Sequence, residues 1–132
     1  MKQTLFTLLF AFALLTAKAQ SFQFTDTIKA PANLDNIYSR PLYSDSLASS
    51  FVIFIKKEVK PHKHVFHSEH IYVLEGEGEM EVGDKKFRIQ KGDIVFIPKN
   101  TRHTLRTTSQ LPVKVISIQA PLFDGKDRIF VE

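Results

Sequence analysis

The sequence predicts an all-β domain, and three observations carry that prediction. The apolar runs after Leu34 are short and rich in Val, Ile, Phe and Tyr, which suits a pleated strand better than a helix. Turn signals punctuate them closely: Ser44-Asp45-Ser46, Gly76-Glu77-Gly78, Gly83-Asp84, Lys91-Gly92-Asp93 and Pro98-Lys99-Asn100. Beyond the N-terminal segment, no stretch of about ten residues repeats apolar positions at helical spacing.

The N-terminal segment stands apart from that pattern. Lys2 supplies a positive charge, Leu5 to Leu15 form an almost wholly apolar run, and Ala17-Lys18-Ala19 gives the small-x-small pattern of a signal-peptidase site. A signal peptide over residues 1–19 is therefore expected, with the protein exported to the periplasm or secreted. Its apolar core of about eleven residues is too short to cross a bilayer core of about 30 Å, so no membrane span is expected. An amphipathic helix does not fit a run that is apolar on every side. The chain has no cysteine, which excludes thiolate metal sites, thiol nucleophiles, a disulfide framework and lipid attachment at a cysteine. Cleavage after Ala19 leaves residues 20–132, a length that fits one domain. Removing Lys2 and Lys18 from the 18 basic side chains leaves 16 against 14 acidic ones, a net charge of +2. That small, interspersed excess argues against a nucleic-acid-binding surface.

Residues 20–34 are mixed and partly polar and are expected to form an extended arm. Strands are expected at Ile37–Tyr43, Phe51–Lys57, Glu69–Leu74, Glu79–Val82, Lys86–Ile89, Asp93–Ile97, Arg102–Thr107 and Val113–Gln119. The runs Phe51-Val52-Ile53-Phe54-Ile55 and Ile94-Val95-Phe96-Ile97 are continuous, as expected where both faces of a strand are covered. Glu79-Met80-Glu81-Val82 alternates, as expected where one face meets water, and Glu75, Glu77, Glu79 and Glu81 then read as a solvated hairpin face. Eight short strands in a chain of this size favour a sandwich or a closed barrel of the jelly-roll type.

The residues that could carry chemistry cluster in one segment. His62-Lys63-His64 sets two imidazoles two positions apart, and in an extended strand such positions share a face about 6.5 Å apart. Both rings can then reach one ion at about 2.0–2.2 Å. Glu69 follows at an odd offset, so if it joins them the chain must bend between Val65 and Ser68 and return on a neighbouring strand. His103, after the Pro98-Lys99-Asn100-Thr101 turn, could close a site from a third strand. Taken singly, each of these residues is more often a surface or core side chain than a ligand. His67 and His70 are assigned surface or packing roles, because His70 faces away from the Glu69 side of its strand. Arg40, Tyr43 and Arg106 are candidate rim groups for an anionic ligand, with solvated strand ends as the plainer reading.

The spacing of the whole set resembles a known family. His62-x-His64-x4-Glu69-x6-Gly76 resembles the first motif of the cupins, and Gly92-x5-Pro98-x4-His103 resembles the second at its glycine, proline and histidine. The resemblance spans about Phe51 to Gln119. It implies a conical cupin-type jelly-roll barrel over residues 51–119, with residues 20–50 as an N-terminal arm and first strand and 120–132 as a C-terminal tail packing on the barrel. It also implies one divalent metal held by His62, His64, Glu69 and His103. Three departures stand out. Lys56 replaces the opening glycine, where a straighter backbone is expected. Asn100 replaces a glycine, and Asn tolerates left-handed angles. Thr107 replaces the closing asparagine.

Nitrogen and oxygen donors suit Mn, Fe, Co, Ni, Cu or Zn and do not select among them. Two functions follow. One is a metal-dependent enzyme, a dioxygenase, isomerase or lyase, acting on a small molecule. The other is a non-catalytic metal-containing protein that binds a sugar or organic acid. The family resemblance fixes a site and leaves the reaction open. The resemblance also implies a homodimer that exchanges the N-terminal arm, with the tail residues Ile129, Phe130 and Val131 covering a barrel end or the dimer seam.

Overall fold

The computed structural model describes residues 22–132; the expected signal peptide lies outside them. Ten strands follow one another: β1 (Ile37–Ser44), β2 (Ser49–Ile55), β3 (Glu58–Lys63), β4 (Ser68–Glu75), β5 (Glu77–Val82), β6 (Lys85–Gln90), β7 (Ile94–Ile97), β8 (His103–Thr107), β9 (Val113–Ala120) and β10 (Ile129–Phe130). They form two five-stranded antiparallel sheets, ordered β1-β2-β9-β4-β7 and β10-β3-β8-β5-β6. This is the cupin-type jelly roll. Among the described residues, no helix is long and apolar enough to cross a membrane.

Alternation along the strands builds the interior. Ile55, Ile71, Val73, Met80, Leu105 and Val115 are buried together between the sheets, a non-directional contribution that scales with the apolar area removed from water. A second, smaller cluster lies on the outer face of the first sheet. There the arm lays Ile28, with Ala30 and Leu34, over Val52 and Phe54. This cover explains why β2 reads as a continuous apolar run.

β7 corrects the parallel expectation. Val95 and Ile97 are buried, but Ile94 and Phe96 are 69% and 53% exposed. β7 is the edge of its sheet, beyond the reach of the arm, so its outer face meets solvent. The sequence reading also passed over β3 and the short β10. β3 was obscured by Lys, Glu and Pro, residues disfavoured in central strands.

The turns follow their residues. Asn100 adopts φ 57°, so the asparagine standing at the glycine position does take the left-handed conformation. The backbone at Lys56 does not run straight: β2 ends at Ile55 and the chain bends through Lys56 and Lys57. Asn36 holds this bend, its Oδ1 accepting from the amides of Lys57 and Glu58 at 3.0 Å each. Gly78 permits a close approach of β5 to β8. A Cβ there would lie 2.7 Å from Leu105 Cδ1 and 2.9 Å from the Arg106 carbonyl oxygen.

Candidate metal centre

One sheet supplies a cluster of imidazoles and the other a carboxylate. His62 and His103 are cross-strand partners on β3 and β8, with ring centroids 4.1 Å apart. A register shift between Val59 and His62 sets this pairing. His64 lies two residues on, just past the end of β3, and its ring centroid is 5.1 Å from that of His62. The three rings can present one nitrogen each within 4.8 Å of one another, and all three residues are buried.

Glu69 reaches the cluster from the opposite sheet. The chain leaves β3, bends through Val65, Phe66 and His67, and enters β4, which accounts for the odd offset in sequence. Glu69 Oε2 lies 3.5 Å from His103 Nε2 and 3.7 Å from His64 Nε2. Its other oxygen, Oε1, accepts a short hydrogen bond from Ser117 Oγ and a longer one of 3.3 Å from Gln119 Nε2. Ser117 and Gln119 sit on β9 with the inward parity of Val113 and Val115, so the register that builds the core also aims these donors.

The hydrogen bonds fix which nitrogen faces the centre. The Nδ1 of His62 donates to the Lys60 carbonyl at 2.8 Å, and that of His103 to the Thr101 carbonyl at 2.9 Å. His64 Nδ1 donates to the Asp127 carbonyl. A carbonyl only accepts, so each Nδ1 carries the proton and each Nε2 is left with a lone pair. The Nε2 atoms of His64 and His103 are buried without any hydrogen-bond partner. Buried orphan lone pairs are rare, and two aimed at one point beside a carboxylate fit a bound cation. The donor set fits a transition metal in the same terms.

Charge in the cluster is set by burial and by these neighbours. Burial pushes His62 down to about 4, and repulsion from His103 adds to it against the Lys60 carbonyl. For His64, burial opposes protonation, but Glu69 and the Asp127 carbonyl outweigh it and raise the pKa. Burial would raise Glu69, yet His103, His64 and Ser117 hold its carboxyl far below the usual range. Glu69 is thus held toward its anionic form, the form a metal ligand takes.

Beside the cluster opens a cavity of about 70 Å³ whose walls include Ile53, Ile55, Val59, Ile71, Met80 and Leu105. Its polar lining is confined to His62, Glu69, His103, Ser39, Thr104 and Arg128. The Thr104 hydroxyl is already engaged, donating to the Val59 carbonyl at 2.6 Å.

The sequence profile of the Cupin domain matches residues 51–119, just over half of the chain. The chain belongs to the cupin family. An uncharacterized protein of Aquifex aeolicus is 42% identical to this cupin over 84 residues, covering 64% of the chain and 69% of the relative. Among solved structures, a conserved protein of Klebsiella pneumoniae with a double-stranded β-helix domain superposes with a TM-score of 0.71 at 20% identity. That match covers 86% of this chain and 99% of the other. Pac13, a nucleoside dehydratase from Streptomyces, superposes with a TM-score of 0.60 at 18% identity, over 71% of this chain and 85% of its own. At such identities the two structural matches speak for the fold alone.

The remaining expected residues sort differently in this cupin. His70 faces outward and packs on Phe96, with ring centroids 4.8 Å apart. His67 is buried, its Nδ1 2.6 Å from Asp127 Oδ2 and its Nε2 2.9 Å from the Leu122 carbonyl. Both ring nitrogens thus face oxygen acceptors. Arg106 is committed to Glu79 at 2.6 Å on an exposed face. Arg40 is exposed and Tyr43 is 42% exposed, and neither lines the cavity. The rim arginine is Arg128. Asp127, Arg128, Ser117 and Gln119 escaped the sequence reading. For the last two there was a signal: polar side chains at inward positions of an otherwise apolar strand.

Proposed function

We propose that this cupin is a metal-dependent enzyme acting on a small, largely apolar molecule, with His62, His64, Glu69 and His103 holding one divalent transition-metal ion. The observation that supports this best is the pair of buried, unpartnered Nε2 atoms of His64 and His103, facing the Glu69 carboxylate at the edge of a cavity. A bound ion with open positions supplies Lewis-acid polarisation or activation of water or dioxygen. The chain's own residues do the rest. Backbone carbonyls orient the three rings, Ser117 and Gln119 orient Glu69, and the apolar walls exclude water from the reacting group.

A second reading, capture of a small ligand without turnover, has one observation in its favour. Apart from the four proposed ligands, no carboxylate or imidazole lines the cavity among the described residues. No positioned general acid or base is therefore at hand, and turnover falls to the ion.

Elemental analysis of the purified protein, before and after reconstitution, tests the centre. One ion per chain is expected. His64→Ala should lower the affinity by more than the about 10–100-fold carried by outer partners of metal ligands, while far-ultraviolet circular dichroism stays all-β. A wild-type protein that takes up no metal sinks the proposal. Export after removal of residues 1–19 is part of the same proposal, and N-terminal sequencing of the protein from its native compartment checks it. So is a homodimer, for which the exposed Tyr72, Ile94, Phe96 and Ile118 on the outward face of the first sheet are the support. A monomeric mass at micromolar concentration overturns it.

A further inference from the structure

We infer that Arg128 makes the cavity selective for small organic monocarboxylates, anchoring the ligand carboxylate at the rim while its apolar body lies against Ile53, Ile55, Val59 and Leu105. This rests on the metal-centre reading and names the ligand class for it. The argument begins with charge. A divalent ion, three neutral imidazoles and the Glu69 carboxylate sum to +1, and Arg128 raises the site to +2. Glu69 is the only carboxylate lining the cavity among the described residues, and Arg128 forms no ion pair within 4.0 Å among them. An anion is what such a site lacks.

Arg128 is also held where it can act. Its neighbour Asp127 has both carboxylate oxygens engaged, by the amides of Val65 at 2.9 Å and Phe66 at 2.8 Å and by His67 Nδ1 at 2.6 Å. That carboxylate cannot fold back to neutralise the guanidinium. The Asp127 carbonyl accepts from His64 Nδ1, tying the backbone before Arg128 to the metal cluster itself. After Arg128, Ile129 and Phe130 pair with Lys63 and His62 in β10. The residue is fastened on both sides, with an exposed side chain at the mouth.

The class of anion follows from what is missing as well as what is present. A guanidinium offers a planar fork that matches a carboxylate in two parallel hydrogen bonds. A dianionic phosphate would need further donors, and of the two hydroxyls lining the cavity that of Thr104 is already spent on the Val59 carbonyl. The remaining walls are hydrocarbon and suit an aliphatic or aromatic body.

The test uses the full chain loaded with Zn(II), with zinc content measured in every sample, and titration calorimetry with benzoate, benzamide, hexanoate and hexanamide. Wild type should bind each acid at least about 10-fold more tightly than its amide. Arg128→Gln should erase that preference, leave the amides unchanged and keep its zinc, and Arg128→Lys should restore part of it. Equal binding of acid and amide by wild type, no binding of any of the four, or undiminished acid binding by Arg128→Gln overturns the inference. Each of those results in a zinc-loaded protein leaves the metal-centre reading standing. Failure of wild type to take up zinc or any other metal is the separate result that removes that reading.

Discussion

Replacing Asp127 by alanine removes one small side chain that accepts from three donors. The amides of Val65 and Phe66 and the Nδ1 of His67 would be left without their partner, in a place where Asp127 is 8% and His67 6% exposed. An unsatisfied buried donor costs about 1–3 kcal/mol, less where water can enter. With water reaching some of the three, a loss of about 3 kcal/mol is expected. A second route gives a similar figure. Burial would raise Asp127, but His67 and the two amides hold it at about 2 against an ordinary 3.8. At about 1.4 kcal/mol per pH unit this is about 2 kcal/mol of stability. The sign follows from the depression: the contribution is complete above 3.8 and is lost as the pH falls through 3.8 toward about 2. Urea denaturation of wild type and Asp127→Ala should therefore differ by about 2–3 kcal/mol at neutral pH, with a melting point lower by on the order of 10 °C. The difference should shrink steadily in acid. A gap below about 0.5 kcal/mol at neutral pH, the ordinary range of surface substitutions, would refute the idea that this carboxylate fastens the segment.

Three further outcomes follow from the same geometry. Ser117→Ala should weaken metal binding by about 10–100-fold in calorimetry, because Glu69 loses the hydroxyl that orients it; affinity within about twofold of wild type would remove Ser117 from the site. Chelation should lower the melting point and an ion at about 100 times its dissociation constant should restore about 2.7 kcal/mol. That gain should fade in acid, because His64, whose pKa is raised, must give up a proton to bind the ion. Gly78→Ala should destabilise by about 1–3 kcal/mol in denaturant titrations, since the new Cβ would meet backbone that cannot swing aside.

How much of this was legible in the sequence depended on the range of the interaction. Strand alternation and turn chemistry are local, so eight strands and the left-handed Asn100 could be read from neighbouring residues. The two-residue spacing of His62 and His64 is equally local, and the offset to Glu69 announced the bend that the structure contains. β3 was missed because its Lys, Glu and Pro argue locally against a strand, while its pairing to β8 is decided across more than forty residues. The outer face of β7 was misjudged because an apolar run does not say how far a cover extends. Arg40, Tyr43 and Arg106 looked equivalent to any other rim candidate until topology set them outside the cavity. Asp127 lies sixty residues or more from His64 and His67, which it adjoins, and no spacing rule connects them.

Four of the five histidines fall within nine residues, from His62 to His70. In the folded chain they are sorted: His62 and His64 turn to the centre, His67 is occupied by Asp127 and Leu122, and His70 stands outside against Phe96. An unfolded chain has no such sorting and offers all four, with Glu69, as one flexible chelating segment. A metal ion offered during refolding would then meet all four imidazoles, and only folding, which commits His67 to Asp127 and the Leu122 carbonyl, takes one of them away.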